Sequence, residues 1–174
     1  MWRANTIGTW PMWRMRDRAR AAVARELFVD TSAWYPIVVR THVDHRDLSA
    51  ELTARVRAGD RLVTTNLVIA ETHALLTIRA GAPAALAFLR HATTAPTEVV
   101  TSTPEFELEA QTAWLTRFAD QAFSLTDAVS FVVMTRRRIR SALALDHHFA
   151  VAGFNMVPAA VQPAGKKPPA RRRR

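Results

Sequence analysis

Short apolar runs alternate with helical stretches along most of this chain, and that alternation limits its fold more than any other feature. ELFVD (26–30), RLVTT (61–65), EVVTS (98–102) and SALALD (141–146) read as buried strands, and FNMVP (154–158) as a fifth, short edge strand. DLSAELTARVRAG (47–59) sets Leu48, Leu52 and Val56 at helical spacing and stops at Gly59. NLVIAETHALLTIRAG (66–81) begins at a capping Asn66 and ends at Gly81, and APAALAFLRHA (82–92) carries Pro83 in its first turn. TPEFELEAQTAWLTRF (103–118) predicts one amphipathic helix capped by Thr103, and SLTDAVSFVVMTRRR (124–138) a helix so apolar that it must be largely buried. Strands interleaved with helices predict an α/β fold with a parallel sheet covered on both faces.

In such sheets ligands bind beyond the carboxyl ends of the strands. Four acids are placed for that end. Asp30 closes the first strand, Asp146 closes the fourth, Asp127 opens the apolar helix just upstream of it, and Glu71 follows the second strand on a helix whose neighbours Val68, Ile69, Ala74 and Leu75 predict partial burial. Singly, each has an ordinary structural explanation. Asp30 and Asp127 suit helix caps, Asp146 suits the turn through His147 and His148, and Glu71 suits a buried arginine. Jointly those explanations weaken, because converging carboxylates repel and lose hydration unless a cation or proton compensates. An all-oxygen site suits Mg²⁺ or Mn²⁺.

Composition removes several competitors. With no cysteine, disulfides, thiolate metal sites and cysteine nucleophiles are excluded. Neither GxGxxG nor GxxxxGK[ST] occurs, which argues against dinucleotide and P-loop nucleotide sites. The net charge of +9 is concentrated at the ends: residues 1–25 carry six arginines and one acid, residues 163–174 carry six basic residues, and the body between them is slightly acidic. Basic ends suit nucleic acid or an acidic surface, and a solubilising tail is the plain alternative for 163–174. The expected organisation is a basic N-terminal extension (1–25), a folded body (26–160) and a disordered basic tail (161–174). No secretory signal or membrane span is apparent, so a cytoplasmic location is expected.

FVDTSAWYPIV, TTNLVIAETHALL, FSLTDAVSFVVM and ALALDHHFAVAGFNMVP resemble, in order and spacing, the blocks of PIN-domain ribonucleases, most closely the VapC-type toxins of bacterial type II toxin–antitoxin pairs. The resemblance spans about residues 27–158. It implies a three-layer α/β/α sandwich around a central parallel sheet of about five strands. It implies Mg²⁺- or Mn²⁺-dependent hydrolysis of RNA by a quartet of Asp30, Glu71, Asp127 and Asp146, all four serving as catalytic groups and as metal ligands. Ser32, Ser124 and Thr126 are implied supporting hydroxyls, and Asp120 a secondary, more structural candidate. A cognate antitoxin and a homodimer are implied partners. The two ends extend beyond the usual limits of the family.

Other residues are expected to be structural. His147 and His148 are read as one packed and one exposed side chain, neither a metal ligand. Arg136, Arg137 and Arg138 suit the negative end of their helix better than RNA. Trp34, Tyr35 and Trp114 read as core or interface aromatics rather than base-stacking platforms. A haloacid-dehalogenase-type phosphatase needs an acid two residues after Asp30, where this chain has Ser32. A flap-endonuclease relative needs more acids and a helical arch. The remaining alternative is a degenerate PIN-like domain that binds nucleic acid without cutting it, which the four intact acids disfavour.

Overall fold

The structure is a computed structural model, and it describes residues 25–158. Apart from Arg25, the expected N-terminal extension and basic tail lie outside the described residues. Five strands form one sheet: β1 (Glu26–Val29), β2 (Arg61–Thr65), β3 (Thr97–Val100), β4 (Ser141–Leu143) and β5 (Asn155–Val157). Their order is β3-β2-β1-β4-β5 and every pairing is parallel. β1 is the centre because its residues can be buried on both sides: Leu27, Phe28 and Val29 are at most 1% exposed.

Between β1 and β2 run α1 (Thr31–Val38) and α2 (His45–Arg57), and between β2 and β3 run α3 (Asn66–Ala80) and α4 (Ala82–Ala92). After β3 come α5 (Pro104–Glu109), a π-helical turn (Ala110–Leu115) and α6 (Leu125–Arg137); a short α7 (His148–Val151) joins β4 to β5. The chain moves outward from β1 to β3, then returns to the other side of β1 for β4 and β5. Right-handed crossovers in opposite directions place the two helix sets on opposite faces, which gives the expected α/β/α sandwich. The reversal leaves a switch point between β1 and β4, where the strand ends diverge and a crevice forms. The amide of Asp30 donates to Leu143 O across that junction (3.1 Å).

The expected strands are all present; β2 has the expected bounds, β3 starts one residue early and ends two early, and β1, β4 and β5 are shorter than expected. The expected single helix over 103–118 is instead α5 followed by the π turn, in which Thr116 N bonds Gln111 O five residues back at 2.8 Å. The wider turn adds one residue and brings Trp114 onto Phe131, with ring centroids 5.0 Å apart. α6 is buried as its composition demands, from Asp127 through Met134. Trp34 is core, packed edge-on against Phe88.

Candidate active site

Asp30 is positioned by a strand-to-helix junction. It leaves β1 in extended conformation and caps α1, its Oδ2 accepting from Ser32 N (2.8 Å) and Ser32 Oγ (2.7 Å). The strand end itself is pinned by Thr64 Oγ1, which donates to Val29 O (2.9 Å). Ser32 Oγ also accepts from the backbone amides of Leu145 (2.9 Å) and Asp146 (3.2 Å). One hydroxyl therefore fastens the loop after β4 to the acid at the end of β1.

Asp127 does cap its helix. Ser124 and Asp127 form a reciprocal capping box, with Ser124 N donating to Asp127 Oδ2 (2.8 Å) and Asp127 N to Ser124 Oγ (3.0 Å). Its side chain nonetheless turns toward the other acids. His148 Nδ1 lies 3.3 Å from Asp127 Oδ2 and 3.4 Å from Asp146 Oδ2, bridging the carboxylate that opens α6 and the one in the loop after β4. Asp146 also accepts from His148 N through Oδ1 (2.9 Å), the turn role anticipated for it.

Glu71 departs from expectation. The residue as a whole is exposed, only its carboxyl end being desolvated against Thr31, and its partner is not an arginine: Thr31 Oγ1 donates to Glu71 Oε2 (3.0 Å), while Thr72 Oγ1 donates to Thr31 (3.2 Å). It sits on the rim of α3 because the buried face of that helix passes through Val68, Ile69 and Thr72 instead. Thr31, Thr72 and the double role of Ser32 were not anticipated. Thr31 stood beside Asp30 in the quoted motif, but its link to a residue 40 positions away is tertiary.

The electrostatics tie the four acids together. Burial raises the Asp30 carboxyl from 3.8 to about 6; the Ser32 hydrogen bonds oppose this, and the charge of Asp127 adds to it. Burial also raises Glu71, opposed by Thr31 and reinforced by the charges of Asp127 and Asp146. Among the described residues, the basic groups within ion-pair distance of these acids are imidazoles, His148 and His147. His148 is packed edge-on against Phe123 while the His147 side chain is 77% exposed, the division expected of the pair. Asp146, His147 and His148 do present three ligand atoms within 4.8 Å of one another. An imidazole as exposed as His147 is hydrated and free to rotate, which makes it a poor preset ligand.

The donor set fits a hard divalent cation. Among the described residues no hydrogen bond occupies Asp30 Oδ1, Asp127 Oδ1 or Glu71 Oε1, so three acids keep an unengaged oxygen at the switch point. Asp120 lies elsewhere, on an exposed turn where Gln121 Nε2 donates to it (2.8 Å). Thr126 contributes its carbonyl to Ser130 Oγ (2.7 Å).

Ser32→Ala is expected to lower stability by ~1–3 kcal/mol in urea denaturation, because three groups lose one partner. It should also push the Asp30 pKa higher, since the Ser32 hydroxyl makes the strongest of the hydrogen bonds that oppose the effect of burial. A variant as stable as the wild type would show that water replaces the hydroxyl.

The family model of the PIN domain matches residues 27–155. The chain is 34% identical over 131 residues to the 23S rRNA-specific endonuclease VapC20 of Mycobacterium tuberculosis, covering 74% of this chain and 95% of that protein. It is 31% identical over 124 residues to Ribonuclease VapC26 of the same organism, covering 71% and 89%. The crystal structure of VapC20, described as a sarcin-ricin loop cleaving toxin, superposes with a TM-score of 0.68 at 31% identity over 74% of this chain and 95% of that one. By sequence and by fold, this chain belongs to the PIN-domain family and is of its VapC type.

Proposed function

We infer that this chain is a divalent-metal-dependent endoribonuclease, the toxin of a toxin–antitoxin pair, which hydrolyses RNA phosphodiesters at Asp30, Glu71, Asp127 and Asp146. The observation that carries this reading is the convergence of four carboxylates on the switch point between β1 and β4, with no guanidinium or ammonium ion-paired to them among the described residues. A purely structural cluster of acids would be neutralised by fixed cations.

When bound, Mg²⁺ or Mn²⁺ supplies Lewis acidity and a lowered water pKa at this site. Asp30, Asp127 and Asp146 would hold it, and Glu71, on the open rim, would complete the pocket either as a ligand or by orienting the attacking water. Ser32 fixes the Asp30 carboxylate and the Asp146 backbone in one arrangement, so little reorganisation remains when substrate arrives. The ends of the chain supply positive charge for the RNA backbone. Since VapC20 is named for 23S rRNA, ribosomal RNA is the first substrate to try. A cognate antitoxin and a homodimer belong to the same reading; Ile78 and Leu86, exposed on α3 and α4, offer apolar surface for such contacts. No described helix is long and apolar enough to cross a membrane, and the bacterial cytoplasm is the proposed location.

Asp127 is the residue on which capping and metal binding compete, so it tests the reading. Asp127→Asn keeps an oxygen for Ser124 N and should change stability by less than ~1 kcal/mol. Its Mn²⁺ affinity, measured by titration calorimetry, should fall by more than about tenfold. Equal Mn²⁺ binding in both proteins would return Asp127 to the role of a cap alone.

A further inference from the structure

The pole of the sheet opposite the acids holds a second charged feature. A cavity of about 740 Å³ there is lined by Arg25, Arg55, Arg61, Arg137, Arg138 and Arg140, together with Glu26 and Asp60. Half of these arginines are internally neutralised. Arg55 pairs with Glu51 and Asp60, Arg61 with Glu98, and Arg137 with Glu26 and Glu98, stitching β1 to β3. Their neighbour Arg136 is likewise paired, with Glu105 and Glu109. The run RRRIR at the end of α6 is thus only partly explained by helix-end electrostatics.

Arg25, Arg138 and Arg140 remain. All three are exposed, and none has an acidic partner among the described residues. Ile139 between the last two is buried and anchors the backbone that carries them. Arg138 occupies the left-handed C-cap of α6 at φ 59°, a position where glycine or asparagine is the cheaper choice. A second hollow of about 360 Å³, lined by Phe154 and Asn155, shares Arg138, Ile139 and Arg140, which places the two arginines on the ridge between two recesses.

We propose that Arg25, Arg138 and Arg140 form a phosphate-backbone contact for folded RNA on the face opposite the catalytic acids, a proposal that rests on the RNA reading above. Guanidinium groups match phosphate geometry. The lining offers no exposed aromatic or aliphatic anchor of the kind a protein partner needs, so an acidic polypeptide fits less well. β1 separates the two poles by roughly 13 Å, from a strand rise of ~3.3 Å per residue over Glu26 to Asp30. A single nucleotide at the acids cannot reach the arginines; an RNA engages both only if it continues several nucleotides across the surface of the domain. The contact therefore favours long or folded substrates over short oligonucleotides without reading sequence.

The test compares wild type with Arg25→Gln/Arg138→Asn/Arg140→Gln in the full chain; asparagine at 138 tolerates the left-handed conformation. A control removes equal charge at exposed arginines elsewhere, Arg46→Gln/Arg79→Gln/Arg90→Gln. Binding of a fluorescent folded ribosomal RNA fragment is followed by anisotropy in EDTA across a salt series, with thermal melts to verify folding. The expected result is a slope of log K against log salt shallower by about 2 in the first variant, from ~0.7–0.9 per lost phosphate contact, and nearly unchanged in the control. An unchanged slope, or the same loss in the control, would overturn the proposal. Binding in EDTA does not require catalysis, so a wild type that binds with this slope yet never cleaves would remove the nuclease reading and leave the arginine contact standing.

Discussion

Asp30→Asn is expected to reduce RNA cleavage by about a thousandfold or more, ~4 kcal/mol of transition-state stabilisation, while the metal-free protein becomes more stable near neutral pH. Both effects come from one geometry. Asp30 sits at the end of the central strand, 4% exposed, with its second oxygen unengaged among the described residues. Burial raises its pKa from 3.8 to about 6, so the ionised form is the one the fold penalises. The folded protein holds this proton more tightly than the unfolded chain, and its stabilising contribution is present below about pH 4. It is lost as pH rises through about 6, a difference of ~3 kcal/mol for a carboxyl moved this far. Asparagine keeps an acceptor for Ser32 and carries no charge, so the stability difference between variant and wild type should grow over that window in EDTA. Mn²⁺ should then restore the wild type and not the variant. Urea denaturation at pH 4 and pH 7.5, with a cleavage assay alongside, measures both. Retained cleavage would end the catalytic assignment, and parallel pH curves would show that Asp30 is not the group that titrates.

The parts of this site that could be read from the sequence are those set by local chemistry. Asp30 and Asp146 follow apolar runs that can only be strands, and Asp127 follows Ser124 at capping-box spacing, so their positions at one end of a parallel sheet follow from the sheet rule. α1 was harder to see. TSAWYPIV contains a proline and no clean helical period, and it is helical because Asp30 caps it and Trp34 fills the space beside Phe88. The π turn carries no glycine or proline to announce it; it is set by packing of Trp114 against α6. The place of Glu71 on the helix after β2 was legible but its position on the rim was not, because Glu71 and the buried Thr72 are adjacent residues on different faces of α3. The Ser32 link to Leu145 and Asp146 spans more than a hundred positions and exists only once β1 and β4 are adjacent.

Phe131→Ala carries the largest expected stability loss outside the acids, ~3–5 kcal/mol. Phe131 is fully buried, and its ring lies 5.0 Å from Trp114, 5.2 Å from Phe123 and Phe149 and 5.7 Å from Phe154. Several of these contacts are edge-on or steeply tilted, the geometry in which aromatic pairs add to simple burial. The same ring supports the site. Phe131 lies one helical turn beyond Asp127, Phe123 packs on His148 at 5.1 Å, and Phe149 is the next residue along α7. A cavity at 131 therefore loosens Asp127 and Asp146 together, and Mn²⁺ affinity should fall although no ligand has been touched. Phe131→Leu refills part of the space and should recover most of the stability and of the affinity. Urea denaturation with Mn²⁺ titration on the three proteins separates the effects. If the alanine variant loses stability but binds Mn²⁺ as the wild type does, the acids are held by the Ser32 and Ser124 hydrogen bonds alone; if both fall together, the aromatic cluster is the mount on which the site is built.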